Sequence, residues 1–428
     1  MKTINKLKFQ IRYSSRSIGI FIISLLVQLI FIGKYLDNTV VSTYAPMAVD
    51  AADYAARAEI WARDGFLIAF GDAFRMPGYP FFIFVMSFFF PNHVFLVSKL
   101  FQMFGLALSA VMINTLLGKV VSPRFSLLAT VFFILLPIWH FTPILLAESL
   151  TATIFMSLTL VMSRITAKGA TNKQIFMIST LIAILTYLKP NNSLIIIPVL
   201  VFLYFKIHHG AIKSMLFITS LFVLLMAPWL GFASQSNPGF YGLTTNSGVN
   251  LYIGTGMTVG YDGSVLSSAA IHWGVDPKNN IDDVVDLPEN LSPLQANQLF
   301  QDKAVQIWKD RPLQMALYGL EKILIAFGIK GNSHQDYILG IFHLGGLIAG
   351  VILLRFSEYR IWGIFLLSTF LALATQAAIF QADRRFVVPI FSSISVINLT
   401  LMLSLFSKYW GGLKALHKMK MPNKQDGD

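Results

Sequence analysis

Long apolar runs recur along this chain, and they leave few folds open to it. A membrane-crossing helix needs about 20 mainly apolar residues. Runs of that order cover residues 17–36, 94–117, 125–143, 145–163, 174–188, 190–206, 213–230, 336–354, 360–380 and 386–407. Of the 428 residues, 55% are hydrophobic and 13% charged, against about a quarter charged in a soluble domain. The expectation is an all-α polytopic membrane protein with about ten spanning helices, forming a single membrane domain over residues 1–428. The opening MKTINKLKFQIRYSSR, before the apolar run Ser17 to Ile32, resembles a secretory signal. No small-residue cleavage site follows, so this run is read as a retained first helix.

Loop charge sets the expected sidedness, since Lys and Arg accumulate on the cytoplasmic side. Lys2, Lys6, Lys8, Arg12 and Arg16 place the N-terminus inside, and Lys414, Lys418, Lys420 and Lys424 do the same for the C-terminus. The connections bearing Lys119 and Arg124; Arg164, Lys168 and Lys173; Lys206 and Lys213; and Arg355 and Arg360 also belong inside. That pattern holds only if the apolar stretches 77–90 and 313–329 lie in the outer interface instead of crossing. The second carries Glu321 and Lys322 at mid-segment, and a central lysine in a spanning helix costs about 2.5–3.5 kcal/mol. Two outside loops then remain, 37–93 and 231–335, each expected to carry juxtamembrane helices. With the basic residues explained by topology, the net charge of +12 is no pointer to nucleic acid, which is not an expected partner.

Several polar residues gather at the outside ends of the helices. Asp50, Asp53, Glu59, Asp64 and Asp72 lie in the first loop, before RMPGYPFF (Arg75 to Phe82). His140 ends one apolar run and Glu148 opens the next. Lys189 stands beside Pro190, Asn191 and Asn192, and Asp383, Arg384 and Arg385 lie between the last two runs. Acidic and basic groups converging at one boundary suit a substrate with a phosphate and a sugar: cations hold the anion, and a carboxylate activates a hydroxyl. Each residue also has a plainer reading. Asp53 and Glu59 suit a solvated helix face. Asp50, Tyr54 and Ala58 follow ordinary i, i+4, i+8 packing. Glu148 suits a helix start by dipole alone, Lys189 and Arg384 suit snorkelling to headgroups, and His140 suits the interface. Cysteine is absent, which excludes thiolate chemistry. No metal-ligand spacing stands out, and the glycines of YIGTGMTVG (from Tyr252) lack the lysine of a phosphate-cradling loop. No internal repeat supports an inverted-repeat transporter.

These motifs, in this order, resemble the GT-C superfamily of membrane glycosyltransferases, particularly bacterial relatives of protein O-mannosyltransferases and of lipid A aminoarabinose transferases. The resemblance runs over roughly residues 17–400. It rests on Asp50, Tyr54 and Ala58 in VDAADYAARA, RMPGYPFF, Glu148 in LLAESLTATIF, Lys189-Pro190, Pro228-Trp229, Gly248 to Leu251 in NSGVNLYIGTG, and Arg385, Phe386 and Pro389 in DRRFVVPIF. The chain departs from the family at Leu230 and Gly231, where Arg-Asn is usual, and at Phe386, where Tyr is common.

What the resemblance implies is transfer of a sugar from a polyprenyl-phosphate carrier to a glycan, lipid or protein hydroxyl. The site would face the outside of a bacterial cytoplasmic membrane and lie among membrane lipids. Asp50 would be the base, with Asp53 secondary. Substrate-binding positions would be Arg75, Tyr79, Glu148, Lys189, Asn250, Arg384 and Arg385. The resemblance names no definite cofactor and leaves a divalent metal open. A flippase or polymerase of lipid-linked glycans is the alternative.

Overall fold

The computed structural model describes residues 2–40, 49–65, 73–240, 242–256, 292–330, 334–380 and 384–420. Residues 2–14, 49, 293, 334, 384 and 411–420 are described by backbone alone. The chain is all-α. Its helices are α1 Lys2–Ile32, α2 Val49–Asp64, α3 Gly78–Phe89, α4 Val94–Leu117, α5 Pro123–Leu135, α6 Glu148–Met162, α7 Asn172–Leu188, α8 Ile196–Lys206, α9 Ala211–Ser236, α10 Ser247–Gly256, α11 Pro293–Asp310, α12 Pro312–Ala326, α13 His334–Leu353, α14 Arg360–Ile379 and α15 Arg384–Lys420.

Among the described residues, seven helical segments are long and apolar enough to cross a membrane. The three other expected crossings, 145–163, 174–188 and 190–206, fall on apolar helices of 17 residues or fewer. α6 has 15 residues and α7 has 17, about 22–26 Å at 1.5 Å per residue. The third is a short 3₁₀ turn, Pro190–Ile195, leading into α8. The interval between α5 and α6 shows why. Pro137 and Pro143 interrupt the helix, so residues 142–147 are a buried non-helical segment. Its carbonyls still need donors. Gln102 of α4 supplies them, its Nε2 donating to Thr142 O and Ile144 O, both at 2.9 Å. α3 has 12 residues, about 18 Å, too short for a bilayer core of about 30 Å.

Packing separates centre from rim. α15 is buried along its length, from Val387 to Leu405, between α5, α6, α13 and α14. α9 is peripheral and shows Ile212, Leu216, Phe217, Val223 and Leu224 at the surface, as a lipid-facing helix does.

Local contacts define two ends. At one, Lys99 Nζ meets Asp37 at 2.6 Å, Asn38 Oδ1 accepts from the start of α4, and Thr245 N–H donates to Ala73 O at 3.0 Å. At the other, Arg16 donates to Pro123 O and His208 N–H to Ala167 O. The basic connections at 119–124, 164–173, 206–213 and 355–360 all fall at that second end. Of the polar residues singled out above, Asp50, Asp53, Glu148, Lys189 and Arg385 fall at the first.

Candidate functional site

α2 carries a small-residue face: Ala51, Tyr54, Ala55, Ala58 and Trp61 are buried at the 3–4-residue spacing of one helix side. That face packs on α3 and on the 144–147 segment, which leaves Asp50 at the helix start directed into the interior. The approach of α3 depends on Gly78. A Cβ there would stand 2.6 Å from Tyr187 C and O, so the PGY motif lets α3 meet the backbone end of α7. Before it, Ala73 holds a left-handed φ of 47°, rarely adopted by a residue with a side chain. Its carbonyl is fixed by Thr245, which joins the two large loops beside Arg75.

An ion-pair chain occupies the space so enclosed. Arg75 Nη2 donates to Asp50 Oδ1 at 2.6 Å and its Nε to Asp53 Oδ2 at 2.8 Å. Arg57 Nε donates to Asp53 Oδ1 at 3.1 Å. Arg385 Nη1 reaches the other oxygen of Asp50 at 2.7 Å, delivered by the first turn of α15. Below them Lys189 Nζ donates to Glu148 Oε1 at 2.5 Å and lies 4.5 Å from the centre of the Phe386 ring. The lysine is 7% exposed at its side chain and the glutamate 0%. In the pairs just described four cations face three carboxylates.

The charges shift one another. Burial raises the Asp50 pKa, but Arg385, Arg75 and Lys189 outweigh it and hold the carboxylate well below its ordinary range. Burial and Asp50 push the Tyr54 hydroxyl up. Burial pulls Lys189 below the ordinary lysine value; Glu148 opposes this and Arg385 reinforces it.

Asp50, Tyr54, Arg75, Lys189, Asn250 and Arg385 line one cavity of about 80 Å³, walled by Phe74, Met76, Leu188 and Phe386. Five of the expected site residues therefore meet there: Asp50, Arg75, Lys189, Asn250 and Arg385. Three do not line it. Asp53 holds Arg75 from outside. Tyr79 is fully buried, its hydroxyl donating to Gln102 Oε1 at 2.6 Å and its ring edge-on to Tyr54. Glu148 lies beneath Lys189. Arg384 is described by backbone only, at the start of α15, and Asp72 and Asp383 lie outside the described residues. So do most acidic residues of the second loop, Asp262, Asp276, Asp282, Asp283, Asp286 and Glu289. His140 stacks on Trp139, away from the cavity.

Sequence reasoning missed Thr244, Asn246 and Phe74, which also line the cavity. The polar run TTNSG before Val249 was the available signal for the first two. Lys189 is also no snorkelling lysine: its ammonium is enclosed with Glu148.

The described residues of the cavity do not suit a divalent metal. Among the described residues no three His, Asp or Glu side chains form a metal-holding group. The oxygens of Asp50 and Asp53 are taken by guanidiniums instead.

No family model matches the sequence, and no curated protein matches it. Solved structures do. The apo oligosaccharyltransferase of Archaeoglobus fulgidus superposes with a TM-score of 0.53 at 11% identity, over 94% of this chain and 52% of that one. The oligosaccharyltransferase AglB from Archaeoglobus fulgidus, in complex with an inhibitory peptide and a dolichol-phosphate, gives 0.50 at 13% identity, over 95% and 52%. ArnT from Cupriavidus metallidurans bound to undecaprenyl phosphate is a looser match, with a TM-score of 0.40 at 11% identity over 97% and 81%. The chain spans about half the length of these archaeal chains. Its fold is similar to that of the archaeal oligosaccharyltransferase structures, and its long apolar helices make it an integral membrane protein.

Proposed function

We propose that this GT-C protein transfers a sugar from a polyprenyl-phosphate carrier to an acceptor hydroxyl on the outer face of the membrane. The observation that carries the reading is Asp50, an enclosed carboxylate flanked by Arg75 and Arg385, with Lys189 in the same cavity. The fold neighbour AglB is solved with a dolichol-phosphate, a lipid of the kind proposed here as leaving group. The basic connections at the far end of the bundle support an outside cavity by the positive-inside rule.

In the proposed reaction the acceptor O–H gives its proton to Asp50. The oxygen bonds to the anomeric carbon as the bond from that carbon to the phosphate oxygen breaks. The polyprenyl phosphate leaves with its negative charge met by Lys189 and Arg385. The ion-pair chain gives the steps an order. Asp50, Arg75, Lys189 and Arg385 all line the cavity, so a sugar phosphate entering it meets these pairs directly. A phosphate at Lys189 competes with Asp50 for Arg385. As that pair loosens, Asp50 regains the basicity that the cations suppress.

The flippase reading fits less well, because the charges of the described spans sit at their ends. The test is consumption of polyprenyl-phosphate sugars by the purified full chain, over a panel of sugars with hydroxyl acceptors. Release of polyprenyl phosphate coupled to glycosylated product is expected. Translocation of intact lipid-linked sugar without cleavage would replace the reading by the flippase.

A further inference from the structure

Lys322 is buried in α12 and takes no part in the chemistry above. It is 1% exposed, and none of the described carboxylates lies within ion-pair distance of it. Its Nζ donates to Gly254 O at 2.6 Å and to Phe380 O at 3.1 Å. Gly254 belongs to the last turn of α10, and Phe380 caps the end of α14. The cation therefore sits where two helices present unpaired carbonyls and the negative ends of their dipoles. Those helix ends touch each other as well: a Cβ on Gly254 would lie 2.4 Å from Ile379 O. Both lead to the cavity. Asn250 lies one turn before Gly254, and Arg385 follows Phe380 by five residues. Burial lowers the lysine pKa, so an ammonium held here needs the two carbonyls it binds.

We propose that Lys322 is a positioning residue, clamping the end of α10 to the end of α14 so that Asn250 and Arg385 stand correctly about Asp50. The proposal rests on the reading of that cavity as the reactive site.

The full chain is tested as Lys322→Met, Lys322→Arg and Gly254→Ala, with Arg385→Ala as reference. The readouts are amide exchange, affinity for undecaprenyl phosphate in micelles, and turnover. Lys322→Met is expected to speed exchange in 249–256 and 378–386 together. It should weaken binding by roughly tenfold or more, the scale of a lost charge-assisted contact. Lys322→Arg, which keeps the charge, should recover most of it. Gly254→Ala leaves the lysine in place but wedges the helices apart, and should copy Lys322→Met even if that variant fails to fold. Normal binding and exchange in folded Lys322→Met or in Gly254→Ala, beside weakened binding in Arg385→Ala, overturns the clamp alone. Normal binding in Arg385→Ala overturns the phosphate reading, and exchange in the two segments then decides the clamp by itself.

Discussion

Asp50 stands between two guanidiniums, which divides its expected roles as a base and as an anchor. Asp50→Asn keeps shape but takes no proton, and should lower turnover by about 10² or more. It also releases Arg385 from its carboxylate partner, so affinity for the polyprenyl-phosphate donor should stay level or tighten. Asp53→Asn should lower turnover by less than about tenfold, since its bonds only hold Arg75 and Arg57. Turnover and donor affinity in both variants check this; a dead Asp53→Asn beside an active Asp50→Asn reverses the assignment. The pairs also predict an acid limb of stability. The folded Asp50 pKa lies below its unfolded value of ~3.9, so its contribution is fully present above that value. It is lost as pH falls through the folded value. The melting-temperature gap between wild type and Asp50→Asn should hold from pH 7 to 5 and narrow below about pH 4. Lys189 behaves differently. Removing it strands the buried Glu148, and breaking such a pair costs about 3–5 kcal/mol. Lys189→Ala should therefore melt early as well as bind donor weakly, whereas a Lys189→Met, Glu148→Gln double variant should regain stability without regaining affinity.

At the scale of elements, two glycines should respond oppositely. Gly78→Ala places a methyl 2.6 Å from the backbone of Tyr187, forcing α3 off the end of α7, and overpacking of this kind costs about 1–3 kcal/mol. Gly231, in the exposed C-terminal part of α9, has nothing within 4 Å of a built Cβ, so Gly231→Ala should be neutral or stabilise by up to ~1 kcal/mol. Thermal melts of both variants settle it; equal melting points would mean α3 does not depend on that contact. The face Asp50, Tyr54, Ala58 and the PGY turn were legible beforehand because they are local patterns with fixed periods. The shortness of α5 and α6 was not. Hydropathy runs straight through residues 136–147, and Gln102, far away in sequence, helps make the broken backbone tolerable there. The partners of Asp50 were equally hidden, since Arg75 and Arg385 reach it across 25 and 335 positions, and such pairing is set by tertiary packing.

For the molecule as a whole, charge along the sequence anticipated which residues share an end of the bundle. That succeeds because each short basic connection must return to the same side, whatever the exact helix lengths. It also explains why the number of spans read from hydropathy is less secure than the grouping of loops: two neighbouring helices can both shorten without moving their connections. The remaining prediction is the absolute side. Without native cysteine, single thiols report cleanly. Gln298 is exposed on α11, and α11 packs on α10 at the cavity end. Lys168 is exposed in the connection between α6 and α7 at the other end. Gln298→Cys should react with a membrane-impermeant maleimide in intact cells, and Lys168→Cys only after permeabilisation. Cysteines at 72 and 283, in the two loops expected outside, should follow Gln298→Cys. The reverse pattern would put the cavity in the cytoplasm, where a carrier lipid loaded on the outer face could not reach Arg385, and the proposed reaction would have to be abandoned along with the topology.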